Sequence, residues 1–114
     1  MKVRLVTLVA ADGTCISSLT PGAEYEVLGI EADWLRLLND QGEPVLYDPA
    51  CFQVTDPTEP EDWVSRVDAG ARYSYPPCWG RIGFFENWHD GVPEVRRRFT
   101  EDIARRSGHS SDQV

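Results

Sequence analysis

Cys78, His89 and Asp90 are the residues whose types could form a nucleophilic catalytic set. A thiol nucleophile needs a base within hydrogen-bond reach and a third group that orients the base. Nothing in the sequence places His89 beside Cys78, and His109 falls in a polar C-terminal stretch. No thiol-protease signature surrounds either residue. We therefore expect no thiol chemistry and assign no catalytic residue.

Metal chemistry has equally little support in the spacing of the candidate ligands. Cys15, Cys51 and Cys78 are far apart in the chain, and His89 and Asp90 lack further ligands at helical or turn spacing. The three cysteines are typical of reduced thiols in a cytoplasmic protein, although a disulfide between Cys15 and Cys51 is conceivable. We predict no metal site and no cofactor.

Carboxylates are plentiful, in the groups Glu59, Glu61, Asp62 and Glu86, Asp90. Glycoside hydrolysis needs two carboxylates at a fixed separation in a deep cleft, which a chain of 114 residues rarely builds. Runs of charge are usually solvated surface. Phosphate-binding loops, dinucleotide fingerprints and nucleophile elbows are missing from the sequence. The sequence therefore predicts a protein that is not an enzyme.

The net charge of −8 is distributed unevenly along the chain. Residues 1–63 carry three basic against twelve acidic residues, whereas residues 64–114 carry eight arginines against seven acidic residues. An acidic body repels phosphate, which excludes nucleic acid as an expected partner. The same field attracts a basic protein and speeds the encounter. The alternative is that the charge serves solubility alone.

The elements that would have to position any site are mostly short strands. Residues 2–9 alternate in polarity and lack a long apolar stretch, so we predict a first strand over 3–10, not a signal peptide. No run of eighteen apolar residues exists, and membrane contact is not expected. Further strands are predicted around residues 23–32, 33–40, 44–48 and 52–56, with a tight turn or one turn of 3₁₀ helix at 49–51. Within the last of these strands, Phe52 and Val54 are expected to point inward.

Five short strands in fewer than sixty residues fit a small barrel. The stretch from Leu19 to Val54, with a strand entry at 25–28, an aromatic Trp34 and a hairpin followed by a one-turn helix, resembles an SH3-like barrel. The first strand and the tryptophan pair of peptide-binding members are lacking, so polyproline recognition is not implied. We expect a mainly β (α+β) fold, with a five-stranded SH3-like barrel over residues 1–56.

Residues 57–106 are expected to form a connector, an aromatic segment and one C-terminal helix packed on the barrel. The connector reads as a solvated link or a short helix, and a strand is predicted before Pro76. Asp90 is the candidate N-cap of the C-terminal helix. One helical face carries an apolar stripe formed by Val92, Val95, Phe99 and Ile103. Residues 107–114 are predicted to be a disordered tail.

The aromatic segment, residues 75–91, matches neither a helix nor a regular strand, and it can serve as core or as a binding surface. In an extended chain the neighbours Phe84 and Phe85 cannot both point inward. Because its flanking residues are polar, we expect Trp88, together with Phe85, to be an exposed anchor for a partner.

The connector has the pattern D-P-x-x-P-x-D-W over residues 56–63, and the aromatic segment contains GFFENWHDG at 83–91. Together they resemble small bacterial immunity proteins, which are found beside secreted toxins. That resemblance implies a cytoplasmic, non-catalytic protein that occludes a toxin with a basic surface. A structural or regulatory SH3-like module of a larger complex is the alternative. The acids expected to steer a partner lie in turns and in the connector: Glu31, Asp33, Asp40, Glu43, Asp48, Glu59, Glu61 and Asp62.

Overall fold

A computed structural model describes residues 1–9, 13 and 15–108. These residues form a mainly β structure with one long C-terminal helix, as the sequence predicts. No helix in the described part of the chain is long and apolar enough to cross a bilayer. The elements are β1 (Lys2–Leu5), β2 (Glu24–Glu31), β3 (Trp34–Leu38), β4 (Pro44–Tyr47), a 3₁₀ helix (Pro49–Cys51), β5 (Phe52–Asp56), β6 (Val64–Asp68), β7 (Ala71–Tyr75), α1 (Phe84–His89) and α2 (Pro93–Gly108).

All strand pairings in the sheet are antiparallel, with the order β4-β3-β2-β1-β5. A β6–β7 hairpin joins this path where Ser74 of β7 pairs with Ile30 of β2. Among the described residues no pairing connects β4 to β5, so the sheet is not closed by hydrogen bonds. The predicted first strand is shorter than expected, since β1 ends at Leu5 and Ala10 lies outside the described residues.

Two hairpins turn through pairs of residues with positive φ. Ala32 and Asp33 connect β2 to β3 with φ of 51° and 68°. Ala69 and Gly70 connect β6 to β7 with φ of 53° and 81°. Two-residue hairpins favour this left-handed geometry because its twist matches that of the strands. Both turns therefore fix the register of the strands that they connect.

The core of residues 1–80 follows from the alternation of side chains along the strands. Val3, Leu5, Val27 and Leu37 point into one buried cluster, together with Cys51 of the 3₁₀ helix. The partly buried Trp63 packs against this cluster from the connector. Burying such side chains supplies about 1.5–3 kcal/mol each relative to exposure.

One inward position in this part of the sheet was predicted wrongly. Val54 is exposed, and Phe52 is half-buried. β5 lies at one end of the strand order and pairs only with β1 among the described strands, so its residues are less covered.

The chain forms two compact units, residues 1–80 and residues 81–114. The second unit contains α1 and α2. Three of the four residues of the predicted apolar stripe are confirmed on α2, because Phe99 is buried while Val95 and Ile103 are half-buried; Val92 lies just before the helix. The packing of α2 on the strands stays a prediction. The predicted tail from residue 107 overlaps the end of α2, and its residues 109–114 lie outside the described residues.

The aromatic segment contains a short helix that the sequence pattern did not predict. Phe84 and Phe85 are both buried, with their ring centroids 5.0 Å apart. Successive residues of an α-helix are rotated by about 100°, so two neighbours can share one buried side. Asp90 is the C-cap of α1, and its prediction as the N-cap of α2 is wrong.

Candidate protein-binding surface

A buried arginine organises the end of the sheet where β2 turns into β3. Arg36 is only 5% exposed. Its guanidinium donates to the Tyr75 hydroxyl at 2.8 Å, to the Pro44 carbonyl at 2.8 Å and to Glu31 Oε1 at 3.0 Å. The Tyr75 hydroxyl donates to the same Glu31 oxygen at 2.8 Å. A buried ion pair is tolerated only when such hydrogen bonds satisfy it. Glu31 is therefore a structural partner of Arg36.

Burial of the Tyr75 ring raises the pKa of its hydroxyl well above the ordinary value, which keeps it protonated as a donor to Glu31. The ring lies so close to Gly29 of β2 that a Cβ at this position would overlap Tyr75 ring atoms. Glycine at position 29 thus allows β7 to approach β2.

The β2–β3 turn is fastened to β7 by the main chain and by one side chain. The Asp33 amide donates to the Arg72 carbonyl at 3.0 Å, and the Arg72 amide donates to Asp33 Oδ1 at 2.9 Å. These two bonds hold the turn against the start of β7. They fix the direction in which the next residue, Trp34, leaves the turn.

Arg72 also connects β7 to the connector between β5 and β6. Its two terminal nitrogens donate to the two carboxylate oxygens of Glu59 at 2.7 and 2.5 Å. Hydrogen bonds from Arg72 lower the pKa of the Glu59 carboxyl, and those to Glu59 raise the pKa of the guanidinium. Such fork-to-fork pairs are geometrically specific. Glu59, predicted to steer a partner, is thus paired with Arg72 within the protein.

Trp34 is 42% exposed at the first position of β3, directly after the fastened turn. Asp33 is exposed beside it. Asp48 follows Tyr47, which pairs with Leu35, so Asp48 lies at the same end of the sheet. The Asp48 side chain accepts the Ala50 amide at 2.9 Å and so caps the 3₁₀ helix. An exposed tryptophan on a rigid support among carboxylates is a suitable protein contact, because tryptophan is enriched in interface hot spots.

The predicted steering acids fall into separate groups. Glu31, Asp33, Asp48 and Glu59 lie at the Trp34 end of the sheet, as described above. Asp40 and Glu43 lie at the opposite end of β3, in the β3–β4 turn.

Asp40 has partners within the protein, since it accepts the Thr20 hydroxyl at 2.7 Å and the Tyr25 hydroxyl at 2.8 Å. Burial, more than any other interaction, raises the pKa of the Tyr25 hydroxyl. Glu61 and Asp62 are exposed in the connector just before β6. Steering by any of these acids stays a prediction.

The two predicted aromatic anchors lie on α1 and contact Phe99 of α2. Phe85 is 3% exposed, so its predicted exposure is wrong. Trp88 is half-buried, with its ring centroid 6.2 Å from that of Phe99. The Arg96 guanidinium lies 4.4 Å from the centroid of the Trp88 ring and donates to the Trp88 carbonyl at 2.8 Å. One face of Trp88 is thus already covered by a cation of its own unit.

The sequence singles out Trp88, and the exposure of Trp34 was not predicted from it. The available signal was a tryptophan next to a two-residue turn, where a side chain is less enclosed than in mid-strand. Trp34 falls in the predicted strand over residues 33–40, and no binding role was assigned to it there. Its exposure depends on the fastening of Asp33 to Arg72, which joins residues far apart in sequence.

Within residues 1–9, 13 and 15–108, no group of three or more His, Cys, Asp or Glu side chains is arranged to hold a metal ion. Cys15 is exposed, Cys51 is buried and Cys78 is half-buried. No protein-family model, curated protein or solved structure matches this chain.

Proposed function

We propose that the protein is a non-catalytic binding protein that occludes or regulates another protein, in the manner of an immunity protein bound to a bacterial toxin with a basic surface. The observation that carries this proposal is the exposed Trp34, held on a rigid turn beside Asp33 and Asp48. The reduced thiols expected from the sequence agree with a cytoplasmic location.

The charge of the first unit supports a basic partner. Residues 1–80 carry thirteen acidic against five basic residues, a balance of −8. A field of one sign speeds the association of a partner of opposite sign, and salt screens this effect over about 8 Å at physiological ionic strength. A desolvated aromatic anchor acts mainly on dissociation. Trp34 and the surrounding acids therefore have separable roles.

The alternative function is that of a structural or regulatory SH3-like module in a larger complex. The five-stranded barrel expected over residues 1–56 is supported by the order β4-β3-β2-β1-β5 and by the 3₁₀ helix between β4 and β5. The β6–β7 hairpin lies outside the five strands of this proposed barrel. A fold of this kind hosts many functions, so it does not by itself favour either candidate.

Photo-cross-linking tests the proposal. A benzophenone amino acid replaces Trp34 in cells that express the protein, and the matched control carries it at Gln41, which is exposed in the β3–β4 turn. We expect a discrete adduct with a basic protein at position 34 and none at position 41. The adduct is identified by mass spectrometry after irradiation.

Adducts at position 41 alone, or adducts with acidic proteins or nucleic acid at position 34, would contradict the proposal. The partner then separates the two candidate functions. A partner that arrests growth when expressed alone, and no longer does so when co-expressed with this protein, indicates occlusion of a toxin. A partner that assembles into a stable multi-protein complex without growth arrest indicates a module.

A further inference from the structure

We propose that β6 is a docking edge onto which an extended segment of the partner, bearing lysine or arginine, adds as a further strand. This inference rests on the proposed function and specifies how the partner is held. An edge strand presents unpaired backbone N–H and C=O groups, and strand addition uses them for affinity.

β6 differs from the other strands in its exposure. Of the seven strands in the described residues, β6 alone has all five residues exposed. Val64 is 63% exposed and Val67 is 73% exposed. At the other ends of the sheet, β4 begins with the buried Pro44, which has no N–H to offer, and both terminal residues of β5 are half-buried.

Pairing with β7 in the hairpin keeps β6 extended before any other protein binds. Its five residues pair in unbroken register with β7, from Val64 opposite Tyr75 to Asp68 opposite Ala71. The Ser65 and Ser74 hydroxyls lie 2.7 Å apart, and the Arg66 guanidinium lies 4.2 Å from the centroid of the Tyr73 ring. A strand of this length offers an edge of about 17 Å. Because the edge is preorganised, a partner strand does not have to order it.

Charge complementarity identifies the chemistry of the occupant. Acidic residues stand at both ends of the edge, with the exposed Glu61 before β6 and, at its end, Asp68, which also lies 3.5 Å from the Arg66 guanidinium on the exposed surface. Lysine or arginine near the ends of an added strand would meet these carboxylates, while the apolar face of that strand would contact either Val64 or Val67, which lie on opposite faces of β6. Cross-strand pairs of this kind are favourable.

A second copy of the chain fits this edge poorly. Antiparallel pairing of two β6 strands about their central residue places Arg66 opposite Arg66, and like charges directly opposite are destabilising. Each copy also carries a net charge of −8, which opposes association. A basic segment of another protein meets neither obstacle.

The test uses the full chain, labelled with ¹⁵N, and the peptide Ac-KVKVKVK-NH₂ as the probe. We expect the peptide to shift the amide resonances of β6 and to slow their hydrogen exchange. Two further peptides carry N-methyl groups on the odd or on the even residues. Alternate N–H groups of a strand face opposite edges. One of the two methylated peptides should therefore bind at least about tenfold more weakly than the unmethylated peptide, while the other retains its affinity.

Substitutions in the protein give an independent measurement. Val67→Lys places a cation on the edge and should weaken peptide binding, whereas Val54→Lys makes the same change in charge on the exposed face of β5 and should weaken it much less. Equal weakening by both variants would indicate attraction by charge alone and overturn strand addition.

Three other results would overturn the inference. If the peptide shifts the indole resonance of Trp34 and leaves the β6 amide resonances unchanged, it does not bind by strand addition. Absence of peptide binding to β6 also rules out strand addition, whereas cross-linking at position 34 tests the proposed function separately. Protection of β6 that grows with protein concentration in the absence of peptide would identify a second copy as the occupant.

Discussion

Trp34 and Trp88 are the same residue type in two different settings. Trp34 begins a strand after a left-handed turn, is 42% exposed and lies beside carboxylates. Trp88 lies on α1, contacts the Phe99 ring and has the Arg96 guanidinium over its face. The first side chain is available to a partner, whereas the second is used within its own unit. The difference shows that an aromatic residue among polar neighbours in sequence is not for that reason exposed.

The two units also differ in net charge. Residues 1–80 have a balance of −8, whereas residues 81–114 carry six arginines and six acidic residues. In the second unit, the buried Asp102 is paired with Arg98 at 3.1 Å and with Arg105. Unbalanced charge extends a field into solvent, whereas paired charge does not. The Trp34 region thus combines an exposed tryptophan with unbalanced negative charge, as the proposed function requires.

The largest expected effect concerns the support of Trp88. Phe99→Ala removes a buried ring that contacts both Phe85 and Trp88. We expect a loss of about 3–5 kcal/mol in the free energy of unfolding, measured by urea titration. Val54→Ala is the control, because Val54 is exposed. A loss below about 1 kcal/mol would show that Phe99 does not support the second unit.

The corresponding support of Trp34 is the buried Arg36. Arg36→Ala leaves Glu31 half-buried without its cation and should cost about 3–5 kcal/mol of stability. Arg66→Ala is the matched control, since Arg66 pairs with Asp68 at 3.5 Å on an exposed surface. The two variants are compared by thermal and urea unfolding. Equal losses would mean that the Arg36 cluster does not stabilise this end of the sheet.

The direct comparison replaces each tryptophan in turn. Trp88→Ala removes a half-buried ring and should cost about 2 kcal/mol of stability. Trp34→Ala should cost less than about 1 kcal/mol, because Trp34 is more exposed than Trp88 and has less packing to lose. Once the partner is identified, Trp34→Ala should speed its dissociation. The comparison breaks down if Trp34→Ala destabilises the protein more than Trp88→Ala does.

The smallest expected effect is the pH dependence contributed by Glu59. Because Arg72 lowers its pKa in the folded protein, Glu59 stabilises the fold above the ordinary glutamate pKa of about 4.3. This contribution is lost as the pH falls through the lowered value. At pH 7 we expect Glu59→Gln to be less stable than the parent by less than about 1 kcal/mol, since the pair is partly exposed.

The corresponding measurement is urea unfolding of both proteins at pH 7 and at pH 3. The difference between them should shrink at the lower pH, where the unfolded state binds the proton more readily than the folded state. A difference of equal size at both pH values would show that the pairing of Glu59 with Arg72 does not contribute.

Much of the strand arrangement could be read from the sequence. The alternation in residues 24–38, the turn around Gly42 and the sequence Pro49-Ala50-Cys51 each report on a few consecutive residues, and the structure places strands, a turn and a 3₁₀ helix there. The apolar stripe through Phe99 likewise indicates a helical face from the spacing of nearby residues. β6 was missed, because Val64 and Val67 fall on opposite faces and leave no alternation to detect.

The sequence by itself determined the acidic balance of the first unit, the strand-rich composition and the amphipathic C-terminal helix, because these depend on residue types and short spacings. Only the tertiary structure decided which acids remain exposed and which aromatics are covered. Glu59 is compensated by Arg72, thirteen positions away, and Trp34 is held at the surface by a turn bonded to β7, thirty-nine positions away from Asp33. Contacts between residues so distant in the chain leave no periodic signal in the sequence, since either partner alone is compatible with a solvated surface.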